Sequence, residues 1–174
     1  MGEGWGDAIS TILRLNSSHT HATDFILGGY SYNKSIRRYP YSTSLRTNPS
    51  TFKFLDRPDY REVHDIGEVW AEIIYEVLWA LVDKNGFAPD LFARDLTKGN
   101  TLMLQLLLDG MKLQPCSPSF IDARDAILQA EQNLTGGKNQ CAIWRAFAKR
   151  GMGPSASGSD DDTHIEDYLV PDEC

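Results

Sequence analysis

Apolar positions between Val63 and Gly86 set the pattern of the chain. Ile66, Val69, Trp70, Ile73, Ile74, Val77, Leu78, Leu81 and Val82 recur at i, i+3, i+4, i+7 and i+8, the period of one helical face. Tyr75 and Trp79 fall on the other face, among Glu68, Glu72 and Glu76. A helix with large aromatics on its second face is expected to be covered on both sides, and therefore to be central. Asn85-Gly86 supplies the stop, because glycine tolerates the left-handed conformation that ends a helix. His64 and Asp65 stand at the entry, where a ring is held by the helix and can still face a cleft.

Four further stretches carry helical spacing. Residues 3 to 15 place Trp5, Ala8, Ile9, Ile12 and Leu13 on one side. Gly2, Gly4 and Gly6 are poor helix formers, so small size must be needed there, for close packing or for an adjacent site. Helices are also expected from about Asn100 to Lys112, from Ser119 to Asn133 and from Asn139 to Arg150, with Phe87 to Asp95 as a connection. Residues 16 to 58 lack clear periodicity and hold prolines 40, 49 and 58. Irregular segments of that length are often functional. Within it, Phe25–Leu27 and Thr51–Leu55 are short extended pieces able to pair. The fold class is mainly α with a loop-rich insertion containing short strands. The helical unit covers residues 1–153, and the polar stretch 154–174 is expected to be a mobile tail.

With 174 residues, 41% of them hydrophobic, the chain can bury a core of single-domain size. A formal net charge of -7 argues against nucleic-acid phosphate backbones as partners. No apolar run reaches the ~20 residues of a membrane span, so a membrane partner is not expected either. The helical pattern begins at the first residues, which predicts that an N-terminal part precedes this stretch.

The chemistry-bearing residues are few. Glu3 and Asp7 lie four apart and share a helix face, either as a solvated face or as a metal ligand with a carboxylate behind it. His19 and His21, at i, i+2, fit surface residues better than ligands. Arg37 and Arg38 precede Tyr39-Pro40-Tyr41 and suit either a planar oxygen acceptor or surface ion pairs. Asn16-Ser17-Ser18, Asn33-Lys34-Ser35 and Asn133-Leu134-Thr135 are glycosylation sequons. Cys116, Cys141 and Cys174 are buried thiols in a reducing compartment. In a secreted protein, Cys116 and Cys141 close a loop worth roughly 3 kcal/mol.

Longer words change the weight of these residues. Gly2-Glu3-Gly4-Trp5-Gly6-Asp7, Tyr39-Pro40-Tyr41-Ser42, Val63-His64-x-x-Gly67-x-x-Trp70-Ala71, Leu113-Gln114-Pro115-Cys116, Ala123-Arg124-Asp125-Ala126-Ile127 and Trp144-x-Ala146-Phe147-Ala148-x-Arg150-Gly151 follow in that order. Together they resemble the C-terminal part of a fungalysin, one of the secreted fungal zinc metalloendopeptidases with a thermolysin-like active-site plan. The likeness runs from residue 1 to about 153. It implies the helical C-terminal subdomain of such an enzyme, secretion, Zn2+ as cofactor, and protein or peptide substrates.

Residue by residue, Glu3 matches the glutamate that completes a zinc site begun by an H-E-x-x-H helix. Asp7 resembles the carboxylate that fixes a ligand histidine. His64 matches the histidine that donates to the oxyanion of the tetrahedral intermediate. Asp59 lies near enough in sequence to orient His64, with Glu62 competing. Arg37 resembles the arginine that contacts a primed-side substrate carbonyl, and Arg38 is the alternative. Secretion would bridge Cys116 to Cys141, at the two ends of a helical hairpin, and leave Cys174 free. The departure is plain: the chain has no H-E-x-x-H, and its four histidines are His19, His21, His64 and His164. Two zinc ligands and the general base are missing, so the chain is expected to be inactive alone. It is then a piece of a longer enzyme whose remaining N-terminal part is its partner. The alternative is a truncated, non-catalytic helical interaction module that keeps the fold.

Overall fold

The computed structural model describes residues 1–32, 34–159 and 163–174. Its helices are α1 (Gly2–Arg14), the single turn α2 (Gly29–Tyr32), α3 (Val63–Asn85), α4 (Gly99–Leu113), α5 (Phe120–Thr135) and α6 (Gln140–Lys149). The fold is mainly α, as the periodicity predicts. α3 is buried on every side from Gly67 to Leu78, its three glutamates included. α1, α4 and α6 pack around it. Trp70 is the hinge of the core: its ring meets Trp5 of α1 edge-on at 5.0 Å and Phe120 of α5 at 5.1 Å.

Two backbone contacts set the spacing. A Cβ on Gly4 would lie 2.3 Å from the Gly67 carbonyl oxygen, and one on Gly99 would lie 2.3 Å from the Leu81 carbonyl. α1 and the start of α4 therefore touch α3 backbone to backbone, which only glycine allows. Gly2 and Gly6, by contrast, face open space.

Residues 15–32 and 34–62 cross over α3 with little regular structure. Phe25 pairs with Tyr41 in an isolated antiparallel bridge, with N–H···O distances of 2.8 and 2.9 Å. Thr51–Leu55 does not extend as expected. Phe52–Asp56 is a 3-10 turn, because the Phe52 N–H donates to the Arg150 carbonyl at 2.9 Å and its fully buried ring sits between Phe120 and His164.

Beneath this crossing lies a buried ionic cluster. Arg150, at 0% exposure, reaches Glu72 at 2.6 Å and Glu76 at 2.7 Å. It also donates to the carbonyls of Ser42, Asn48 and Ser50 at 2.7 to 2.9 Å. Glu72 further accepts from the Ser42 N–H and the Asn48 amide. Burial pushes the Glu72 carboxyl well above its ordinary range, against the pull of Arg150. One arginine thus satisfies three carbonyls of the irregular segment and ties it to α3.

The stretch 154–174 is expected to be mobile, but its described residues, 154–159 and 163–174, are folded back on the helices. The Gly153 N–H donates to the Asp167 carbonyl at 2.7 Å, the Asp167 N–H donates to the Gly151 carbonyl at 3.0 Å, and Ser157 pairs with Ile165, which makes this stretch a strap across the helices. His164 is buried, with Nδ1 2.6 Å from Asp56, and Lys53 donates to its carbonyl at 2.8 Å. The disulfide joins Cys141 to Cys174, and Cys116 is a free, exposed thiol. This corrects the expected Cys116–Cys141 bridge. Those two cysteines flank one helix of 16 residues, about 24 Å long, whereas bridged Cα atoms lie within about 7 Å. The folded-back strap brings Cys174 to 5.0 Å from Cys141, Cα to Cα.

Candidate functional site

The residues singled out at the start of α1 and α3 come together where the two glycines meet. The close approach of Gly4 to Gly67 lays the first turn of α1 over that of α3. Glu3 Oε2 then lies 3.3 Å from His64 Nε2, with the two side chains 45% and 50% exposed. α3 starts where it does because Glu62 caps it: its carboxylate accepts from the His64 backbone N–H at 2.8 Å. The same carboxylate lies 2.8 and 2.9 Å from ring Nδ1. The His64 backbone N–H and ring together hold the Glu62 carboxyl below its usual range. One residue thus ends the loop, starts the helix and orients the imidazole.

Asp59 does not take that role, which corrects the expectation. It pairs with Arg38 at 2.7 Å and Arg57 at 3.1 Å, because Arg38 lies over the Tyr60 ring and reaches Asp59 and Asp65 from there. Glu62, two residues before His64, is closer along the chain and sits at the cap.

Asp7 and Arg37 form the deeper part of the site. Arg37 grips Asp7 with two parallel bonds, Nε to Oδ2 at 2.6 Å and Nη2 to Oδ1 at 3.0 Å. The Tyr41 hydroxyl donates to Oδ2 at 2.5 Å. Burial works to lower the Arg37 pKa, but the bonds and charge of Asp7 outweigh it and hold it above its ordinary range. Burial, reinforced by Asp7, pushes the Tyr41 phenol well up. Arg37 and Arg38 are consecutive yet serve different helices: Arg37 holds α1 through Asp7, and Arg38 holds the entry of α3 through Asp65 at 2.8 Å. Its backbone N–H also donates to the buried Glu68 at 2.9 Å. The tyrosine on Asp7 and the arginine clamp on α3 escape sequence reading, since spacing along an irregular segment does not say which side chains converge.

Other singled-out residues lie apart. His19 accepts from the Asn16 N–H, His21 pairs with Asp83, and His164 is in the strap. Asn16 and Asn133 are exposed, and Asn33 falls outside the described residues. Among the described residues, no three His, Cys, Asp or Glu side chains gather as a metal-binding group. Glu3 is a half-exposed carboxylate with open space beside it at Gly2 and Gly6. A lone carboxylate of this kind fills at most one ligand position and does not make a metal site alone.

Comparison with known proteins gives a consistent assignment. The family described as "Fungalysin metallopeptidase (M36)" matches residues 1–156. Extracellular metalloproteinase 9 of Coccidioides posadasii (strain C735) is 48% identical over 180 residues, covering 100% of this chain and 28% of that protein. Extracellular metalloproteinase mep of Aspergillus flavus is 51% identical over 162 residues, covering 90% of this chain and 25% of that protein. Extracellular metalloproteinase 2 of Trichophyton rubrum is 44% identical over 180 residues, with 100% and 28% covered. The chain therefore spans about a quarter of the length of the curated relatives it matches.

Proposed function

Since this chain belongs to the fungalysin metallopeptidases (M36), we propose that it is the C-terminal part of the catalytic domain of a secreted, zinc-dependent endopeptidase acting on proteins or peptides. The observation that carries this reading is the meeting of Glu3 with His64, backed by Glu62, on the open edge of α1 and α3. The metalloproteinases it is similar to are named extracellular, which supports secretion.

In this reading Glu3 is the one protein ligand that this chain contributes to zinc. When bound, the metal supplies an activated water and polarises the scissile carbonyl. Asp7, fixed by Arg37 and Tyr41, is the carboxylate that steadies a ligand histidine from the rest of the protein. Glu62 accepts from His64 Nδ1, so Nε2 donates when the ring carries both protons, and the carboxylates on either side are partners of that cation. Nε2–H then stabilises the oxyanion that develops on the substrate carbonyl. Arg37 commits Nε and Nη2 to Asp7 and keeps Nη1 for a primed-side carbonyl. The sequons at Asn16, Asn33 and Asn133 carry sugar in this secreted setting.

The test uses the complete protein beside the 174-residue chain. The complete protein should cleave internal peptide bonds, stop when a chelator removes its metal, and recover with zinc. The 174-residue chain should neither hold zinc tightly nor cleave. A complete protein that takes up no zinc and cleaves nothing would leave a non-catalytic helical module as the correct description.

A further inference from the structure

The second candidate site lies far along the chain from the α1–α3 edge, in a cleft of about 240 Å³ between the end of α4 and the end of α5. Leu113 and Leu134 line it, 46% and 37% exposed, and Ala130 is its buried floor. Asp109 and Lys112 stand at its rim, paired with each other at 3.0 Å, so the rim is polar without net charge. Asn133 also lines the cleft and opens the sequon Asn133-Leu134-Thr135. Its Oδ1 accepts from Gln129 Nε2 at 2.8 Å, which leaves Nδ2, the atom that forms the sugar bond, uncommitted among the described residues.

We propose that the cleft between α4 and α5 is the seat of the first N-acetylglucosamine of an N-linked glycan on Asn133. This rests on the secretory part of the reading above. A pyranose ring has an apolar face and a hydroxyl edge. The apolar face covers Leu113 and Leu134, removing exposed hydrocarbon from water. The hydroxyl edge meets the Asp109–Lys112 rim, and a neutral rim suits an uncharged ligand. The covalent tether makes docking intramolecular, so a weak contact suffices. Attachment follows ordinary sequon chemistry. Asn133 Nδ2 attacks the anomeric carbon of an activated, pyrophosphate-linked sugar donor. The C–N bond forms as the C–O bond to pyrophosphate breaks, and one amide proton passes to solvent. Thr135 donates to the buried Glu131 in the folded chain, so the transfer takes place before α5 closes.

The chain is secreted from a eukaryotic host, its glycans trimmed to one sugar, and its peptides mapped by mass. Asn133 should carry the residual sugar. The trimmed chain should melt about 2–4 °C above its Asn133→Gln variant and bind less hydrophobic dye. Adding Leu113→Ser and Leu134→Ser to both should abolish that gap while the sugar stays attached. A bare Asn133 beside an occupied Asn16 overturns this inference alone. Sugar absent from every sequon overturns it and counts against the glycoprotein part of the wider reading. An attached sugar with no gap, a gap that survives the serine changes, or a sugar-free chain that buries the cleft in a sedimenting dimer each overturns the seat.

Discussion

The two ends of α3's acidic stripe use the same chemistry in opposite surroundings. At the first turn, Glu62, His64 and Glu3 stand about half in water, linked by contacts of 2.8 to 3.3 Å. Two to three turns on, Glu72 and Glu76 hold Arg150 at 0 to 5% exposure. Exposed pairs of this kind are worth about 0–1 kcal/mol, so they can exchange partners at little cost. The buried cluster cannot exchange, because a partner lost there leaves a charge in low dielectric. In the proposed reading, function sits at the labile end and is held in register by the fixed end. Glycine contacts between α1 and α3 transmit that register to Glu3.

The largest effect should come from cutting the fixed end. Arg150→Met is expected to destabilise the chain by about 3–5 kcal/mol, read from denaturant unfolding. A loss below about 1 kcal/mol would erase the distinction between the two ends. Next is the strap. Reducing Cys141–Cys174, or Cys174→Ser, removes a closure spanning 33 residues, expected to cost about 2–4 kcal/mol. The same treatment of Cys116 should change nothing, and non-reducing peptide mapping should recover it as a thiol.

A smaller, pH-dependent effect belongs to Asp56. Burial works to raise its carboxyl, but Lys53 and the His164 backbone and ring hold it far below the usual range. A carboxyl lowered in the folded state stabilises above its unfolded pKa of about 3.9 and loses that contribution as pH falls toward the folded value. The melting gap between wild type and Asp56→Asn should therefore be full near pH 6 and shrink below about pH 4. A gap that widens in acid would mean that the strap is held some other way. At the labile end, Glu3→Ala should shift stability by about 0.5 kcal/mol or less.

How much of this was legible in the sequence follows from range. The period of apolar residues in α3 located its ends to within a residue, and the glycines of α1 signalled close packing, which holds for Gly4 and not for Gly2 or Gly6. Glu3 and His64 were found through their words, whereas their meeting depended on two backbones touching. Arg150 stands in a family word, but its role is not legible there, since nothing local marks an arginine whose partners lie 74 to 108 residues away. The disulfide escapes the sequence because a polar tail reads as loose. Its polar composition hides the contacts of His164, Glu166 and Asp167 with residues over 100 positions upstream or just before it.

The central claim is that Glu3 holds the metal while His64 acts on the reacting carbonyl, and one paired measurement on the complete protein tests it. Zinc content and steady-state kinetics are determined for Glu3→Ala and His64→Ala. The account predicts that Glu3→Ala loses zinc. His64→Ala should keep it, with KM little changed and kcat lower by roughly 10²–10³, the range for one oxyanion donor. A His64→Ala protein that loses its zinc, or turns over at the wild-type rate, would contradict the account and leave His64 as a structural residue at the entry of α3.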